Sequence, residues 1–380
     1  MSAAATTRSL LGGLAPGTFL ARHWHREARL VRNAIADFNG IFTRAELFTL
    51  AQRDDVESRL VVRDGRRWSL THGPFRRADW KALPARNWTL LVQGTNLHDA
   101  RADALLRRFA LVPYARLDDV MVSYAAPGGG VGPHVDSYDV FLLQGEGRRR
   151  WRWGRQDHAA LRANVPLKLL ARFTPAEDAV LGPGDMLYLP PDVAHDGVAL
   201  DACTTYSIGF RAAGATELAQ AFLDHLRDTL ELPGRYADPG LAPARRPARI
   251  DASMQRQVAA MLAQIRWNRA TTDRFLGAWL TEPKAQVVFD PPSAALTRAA
   301  FRARTARRGV ELDRRTQLLY DKTRWYVNGD AGLWPAAGAG AIARLADART
   351  LSAADCAALP AAAARLLHDW YIDGYLHPAA

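Results

Sequence analysis

Gly128-Gly129-Gly130-Val131-Gly132-Pro133-His134-Val135-Asp136 runs into Asp139-Val140-Phe141-Leu142-Leu143-Gln144, turns at Gly145-Glu146-Gly147 and returns as Arg148-Arg149-Arg150-Trp151-Arg152-Trp153. Two short β-prone runs joined by a glycine-rich turn predict a hairpin. In a strand, alternate residues face opposite sides. The return strand therefore has Arg148, Arg150 and Arg152 on one face and Arg149, Trp151 and Trp153 on the other. Three like charges are not buried without partners, because each unpaired buried ion costs several kcal/mol. That face is read as meeting water or an anionic partner, more readily a solvated face than an RNA site. The tryptophan face turns inward and carries Arg149 with it.

Working outward, β-prone runs punctuated by Gly and Pro recur at 59–62, 68–70, 88–93, 120–125, 186–189 and 204–210, with one helix at 100–109. Many short strands predict a closed or double-sheet β architecture. Upstream, Thr43 with Glu46 three residues on has the spacing of a helix capping box. After Gly214 the pattern turns helical. Leu218, Phe222, Leu226 and Leu230 share one helix face, and Met254, Val258, Met261, Leu262 and Ile265 share another. These read either as core helices packed on the barrel or as a dimerisation segment. In the last hundred residues helices flank a hairpin, 317–320 with 325–327, which is winged-helix-like.

His134 and Asp136, two apart, point to one side of a strand. His195 follows the segment Gly182-Pro183-Gly184-Asp185-Met186-Leu187-Tyr188-Leu189-Pro190-Pro191, with enough chain between for strands to return to the same place. Two imidazoles and one carboxylate occupy one face of an octahedral metal and leave three positions open, as in non-haem Fe(II) oxygenases. The competing reading is a buried His–Asp hydrogen bond, with His195 on a loop. An inward Arg149 needs an anion. A carboxylate of 2-oxoglutarate fits its planar fork, as does an internal Asp or Glu. Asp118 and Asp119 precede the 120–125 strand and read first as a solvated turn.

The chain has 380 residues, enough for two or three domains, with 48% hydrophobic and 23% charged residues. The formal charge of +11 favours a polyanionic neighbour without identifying one. Cys203 and Cys356 are its two cysteines, which excludes a disulfide scaffold or Cys-rich zinc site and fits a reducing compartment. No apolar run is long enough to span a membrane, and Met1–Thr18 lacks a signal-peptide core, so a cytoplasmic protein is expected.

The run from Pro127 to Gly145 and Gly147 to Arg152 resembles the bacterial ribosomal oxygenases. The similarity extends from Phe19-Leu20 and His23-Trp24, through 182–191, to Tyr206-Ser207-Ile208-Gly209-Phe210-Arg211. The resemblance implies a mainly β plus α protein. A double-stranded β-helix (jelly-roll cupin of JmjC type) would occupy 1–214, a helical dimerisation segment 215–269 and a winged-helix-like domain 270–380. It implies a dioxygenase that hydroxylates an arginine of a large-subunit ribosomal protein. Fe(II) would be bound by His134, Asp136 and His195, and 2-oxoglutarate by Arg149 and Ser123, with dioxygen as co-reactant. A homodimer is also implied, and the surface arginines, Arg148, Arg150, Arg152 and those near 245 and 305, favour proximity to rRNA or the ribosome. Two other functions fit the residues. One is a related oxygenase acting on histidyl, asparaginyl or methyl-lysine side chains. The other is a cupin sensor with a DNA-binding winged helix, using Arg302, Arg304, Arg307 and Arg308.

Overall fold

The computed structural model describes residues 10–158 and 160–379. The reading of Met1–Thr18 thus lies in part outside the described residues. The strands of the first half are β1 (Arg29–Val31), β2 (Ser58–Asp64), β3 (Arg67–His72), β4 (Trp88–Val92), β5 (Leu117–Ala125), β6 (Val140–Gln144), β7 (Arg149–Gly154), β8 (Glu177–Leu181), β9 (Met186–Leu189), β10 (Ala194–Ala199) and β11 (Cys203–Phe210). They form an eight-stranded sheet in the order β1-β9-β6-β11-β5-β4-β2-β3, faced by a three-stranded sheet β10-β7-β8. This is the expected jelly roll.

The central strands are buried on both faces, so they read as unbroken apolar runs such as Val140–Leu143 and Met186–Leu189. One face, with Val120, Val122, Phe141, Leu143, Tyr188, Tyr206 and Ile208, packs under the helices Arg44–Leu50 and Ala100–Arg107. The opposite face, with Val140, Leu142, Leu187 and Leu189, closes on Trp151 and Trp153 of the smaller sheet. Each such side chain contributes about 1.5–3 kcal/mol when fully buried. The Thr43–Glu46 capping box starts its helix as expected.

The helices Ala215–Thr229 and Ala252–Leu262 do not pack as core elements on the barrel. The first buries only Leu226 and the second no residue. Leu223 is 64% exposed, and Val258 and Leu262 are exposed too. Downstream, the helices Arg298–Arg308, Ala339–Ala348 and Ala361–Ile372 share a core with β12 (Val310–Leu312), β13 (Leu318–Tyr320) and β14 (Arg324–Val327). β13 and β14 form the expected hairpin, and β15 (Asp330–Leu333) extends it. Asp321 closes the hairpin turn by accepting from the Thr323 and Arg324 backbone N–H groups at 2.6 and 2.8 Å. No described helix is long and apolar enough to cross a membrane.

Candidate active site

The glycine run is a packing requirement. A Cβ on Gly129 would come within 2.1 Å of the Trp88 carbonyl oxygen, and one on Gly130 within 2.4 Å of the Gly197 carbonyl oxygen. Only glycine lets this loop lie flat between β4 and β10. Its exit delivers His134, which pairs with His195 through mutual backbone hydrogen bonds of 3.1 and 2.9 Å. His195 is on β10, not on a loop, opposite Trp153 of β7.

Each imidazole Nδ1 faces a carbonyl oxygen: Gly132 at 2.9 Å for His134, and Val193 at 3.1 Å for His195. A carbonyl has no proton to give, so both Nδ1 atoms are donors and both Nε2 lone pairs are left free. The two Nε2 atoms lie 3.9 and 3.6 Å from Asp136 Oδ2. One ligand atom from each of the three residues falls within 4.8 Å of the others. Burial, then the neighbouring His134, depress the His195 pKa, which keeps that ring neutral and able to ligate. At these distances the Nε2 atoms do not make a simple His–Asp hydrogen bond, and the three converging ligand atoms could hold a metal ion.

On β7 the burial alternates as read from the sequence, with Arg149, Trp151 and Trp153 inside. Arg149 is 5% exposed, and its Nε and Nη2 have no partner among the described residues. Its guanidinium lies 5.7 Å from the Trp151 ring centroid. Among the described residues no carboxylate pairs with Arg149, as a structural role would require. Trp151 Nε1 and Thr89 Oγ1 are also buried without partners. Ser123 is buried on β5, opposite Thr205 of β11 and Leu91 of β4. The register Ser123–Thr205–Gln144 sets it on the same face as Val140 and Leu142, towards the barrel interior. Thr205, which donates to Gln144 at 3.1 Å, shares that face and was not singled out in the sequence. A lone buried Thr carries no signal without the sheet register.

The three outward arginines meet carboxylates of this chain: Arg148 with Asp201 at 2.8 Å, Arg150 with Asp178 at 2.5 Å and Arg152 with Asp196 at 2.5 Å. Asp118 and Asp119 are not a solvated turn. They open β5, and Asp119 is 3% exposed, accepting from Gln93 Nε2 and Gly94 N at 2.8 and 3.0 Å. Lys284 Nζ lies 2.9 Å from Asp118 Oδ1 and 3.6 Å from Asp119 Oδ2. Burial raises the Asp119 pKa, opposed chiefly by Lys284. A cleft of about 380 Å³ opens here between Asp118, Tyr138, Phe210 and Lys284. A Cβ on Gly209 would sit 3.8 Å from Asp119 Oδ1 and 4.0 Å from the Tyr138 ring, so the glycine leaves the space between them open. Burial and the surrounding carboxylates hold the Tyr138 hydroxyl well above its ordinary pKa, and it stays protonated.

Residues 104–218 match the JmjC domain family model and 264–377 the ROXA-like winged helix model. The ribosomal protein uL16 3-hydroxylase of Escherichia coli is 36% identical over 278 residues, covering 72% of this chain and 73% of that protein. A probable ribosomal oxygenase of Haemophilus influenzae is 36% identical over 209 residues, 54% of this chain and 52% of its own. The structure of the E. coli ribosomal oxygenase YcfD in complex with cobalt and 2-oxoglutarate superposes with a TM-score of 0.80 at 30% identity, covering 96% of this chain and 98% of that one.

Proposed function

Since the chain belongs to the bacterial ribosomal oxygenases, we propose that it is an Fe(II)- and 2-oxoglutarate-dependent dioxygenase that hydroxylates an arginine side chain of the large-subunit ribosomal protein uL16. The observation that carries this reading is one barrel interior holding both the converging His134–Asp136–His195 atoms and the unpartnered Arg149 donors. Two neutral imidazoles and a carboxylate are the donor set suited to non-haem iron. His134, Asp136 and His195 hold the metal, through the imidazole Nε2 atoms and the carboxylate. Arg149 takes the distal carboxylate of 2-oxoglutarate with its Nε and Nη2, and Ser123 adds a hydrogen bond from β5. The bound iron, cosubstrate and dioxygen supply the oxidising chemistry that yields succinate and carbon dioxide and leaves one oxygen atom on a substrate C–H bond.

The chain's own residues do the rest. The Trp151–Trp153 face and the apolar strands around it exclude water. The Asp119 carboxylate, with its Oδ1 towards the open space beside Gly209, and the Tyr138 ring accept the substrate guanidinium, where a neutral histidyl or asparaginyl side chain would gain no ion pair. The exposed Leu223 of one helix and Val258 and Leu262 of the next form a homodimer interface, consistent with the division into catalytic (1–214), association (215–269) and winged-helix-like (270–380) parts. A ribosomal-protein substrate puts the enzyme in the cytoplasm.

Incubating uL16 with the protein, Fe(II) and 2-oxoglutarate tests the reading. One oxygen atom on a single arginine, with matching succinate, is the expected product. Succinate without a modified arginine would redirect the search for substrate. Undiminished turnover in His134→Ala would refute the metal site.

A further inference from the structure

A second cleft, of about 420 Å³, lies on the outside of the barrel, behind the metal ligands. Its walls carry Arg63, Arg66, Arg152 and Arg162, against one carboxylate, Asp196. Asp196 is already committed to Arg152. Arg63 reaches only the Gly128 carbonyl, at 3.4 Å, and among the described residues Arg66 and Arg162 meet no carboxylate. The cleft therefore has three uncompensated guanidinium groups.

The walls are also aromatic. Trp68 and Phe173 are half-buried in it. The Arg63 guanidinium lies over the Trp68 ring at 5.7 Å. The indole lies against the glycine loop, since a Cβ on Gly132 would come within 3.1 Å of it. Cations lining a groove with a half-buried ring beside them match the chemistry of single-stranded nucleic acid, whose phosphates need charge and whose bases need a flat apolar face. An acidic peptide would use the arginines and leave the ring unused. A duplex would hide its base faces.

We propose that this cleft binds a single-stranded RNA segment, so that a ribosomal-protein substrate is engaged with RNA alongside it. Such a strand also resolves a conflict in the charges. A protein of net charge +11 repels a basic substrate, and a bound polyanion lowers that net charge. The proposal goes beyond the oxygenase reading, and its test does not depend on hydroxylation.

Anisotropy of a labelled oligoadenylate of about twelve nucleotides, titrated with the full-length protein, is the measurement. With three phosphates neutralised, the slope of log K against log salt is about −2.1 for a single strand. Raising salt from about 50 to about 200 mM then weakens binding about 20-fold. Arg66 and Arg162 are exposed, so the double variant Arg66→Glu/Arg162→Glu keeps its fold, checked by melting. It should weaken binding at least tenfold and cut the salt effect to about threefold. Trp68→Phe should retain binding, and Trp68→Ala should lose about fivefold or more with the slope unchanged. No binding at low salt would overturn the proposal. So would binding that the double variant leaves intact, which would locate the strand elsewhere. Equal, variant-sensitive binding of polyglutamate would assign the cleft to an acidic protein instead.

Discussion

Replacing Arg149 by Met should make the protein more stable when it is empty and nearly blind to 2-oxoglutarate. The guanidinium is 5% exposed and leaves Nε and Nη2 without partners. An unsatisfied buried donor costs about 1–3 kcal/mol. The contact with Trp151, at 5.7 Å, returns part of this, about 0.5–2 kcal/mol. Met fills similar space without a charge, so the net gain on substitution is about 1 kcal/mol. In a domain of this size that raises the melting temperature by about 2–4 °C. Binding moves the other way. Two hydrogen bonds to a charged acceptor, at about 1.5 kcal/mol each or more, amount to about 3 kcal/mol. At 1.36 kcal/mol per factor of ten, the Kd for 2-oxoglutarate rises about 150-fold. Thermal melting with and without 2-oxoglutarate reads both effects. At a hundred times the Kd, the wild type gains about 2.7 kcal/mol from the ligand, and the variant should gain almost nothing at the same concentration. A variant that melts lower than wild type when empty and still shifts with 2-oxoglutarate would show Arg149 to be a structural residue, and the cosubstrate assignment would fall.

Asp119→Asn should raise the KM for the arginine substrate about 10- to 100-fold, from loss of a charged hydrogen bond, with the KM for 2-oxoglutarate unchanged. Peptide titration in the succinate assay separates the two. Gly130→Ala forces a Cβ against the Gly197 carbonyl oxygen at 2.4 Å. The strain, about 1–3 kcal/mol, falls on the loop that delivers His134, so melting temperature and metal retention should drop together in denaturation and metal-content measurements. Arg150→Ala removes a surface pair with Asp178 and should leave melting and turnover unchanged, because solvent-exposed ion pairs contribute little. Leu223→Asp, at a 64% exposed apolar site, should abolish the proposed association, giving a monomer in light scattering where the wild type gives a dimer, without lowering the melting temperature of the barrel.

The β7 strand was legible because two chemistries alternate on it: arginines bind water or carboxylates, tryptophans do not, and a period of two sorts them without reference to any other part of the chain. The same logic failed for β10. Ala194–Ala199 contains Gly197 and Asp196 and has no apolar alternation, because its inward side carries His195 and must stay bare at Gly197 to admit Trp151. A Cβ on Gly197 would sit 2.6 Å from that ring. What makes the strand work is therefore what hides it. Asp119 was misread for a related reason. A carboxylate pair looks solvated when its partners are distant, and here they are Gln93, Gly94 and, from 165 residues further along, Lys284. The aspartates that neutralise Arg148, Arg150 and Arg152 are equally remote, at 201, 178 and 196. Ionic interactions thus escaped a sequence reading wherever the partner came from another strand or domain, while steric and hydrophobic alternation within one strand did not. Net charge belongs to the first kind. It became informative only after pairing had cancelled three arginines on one face and left three others, Arg63, Arg66 and Arg162, together in a single cleft.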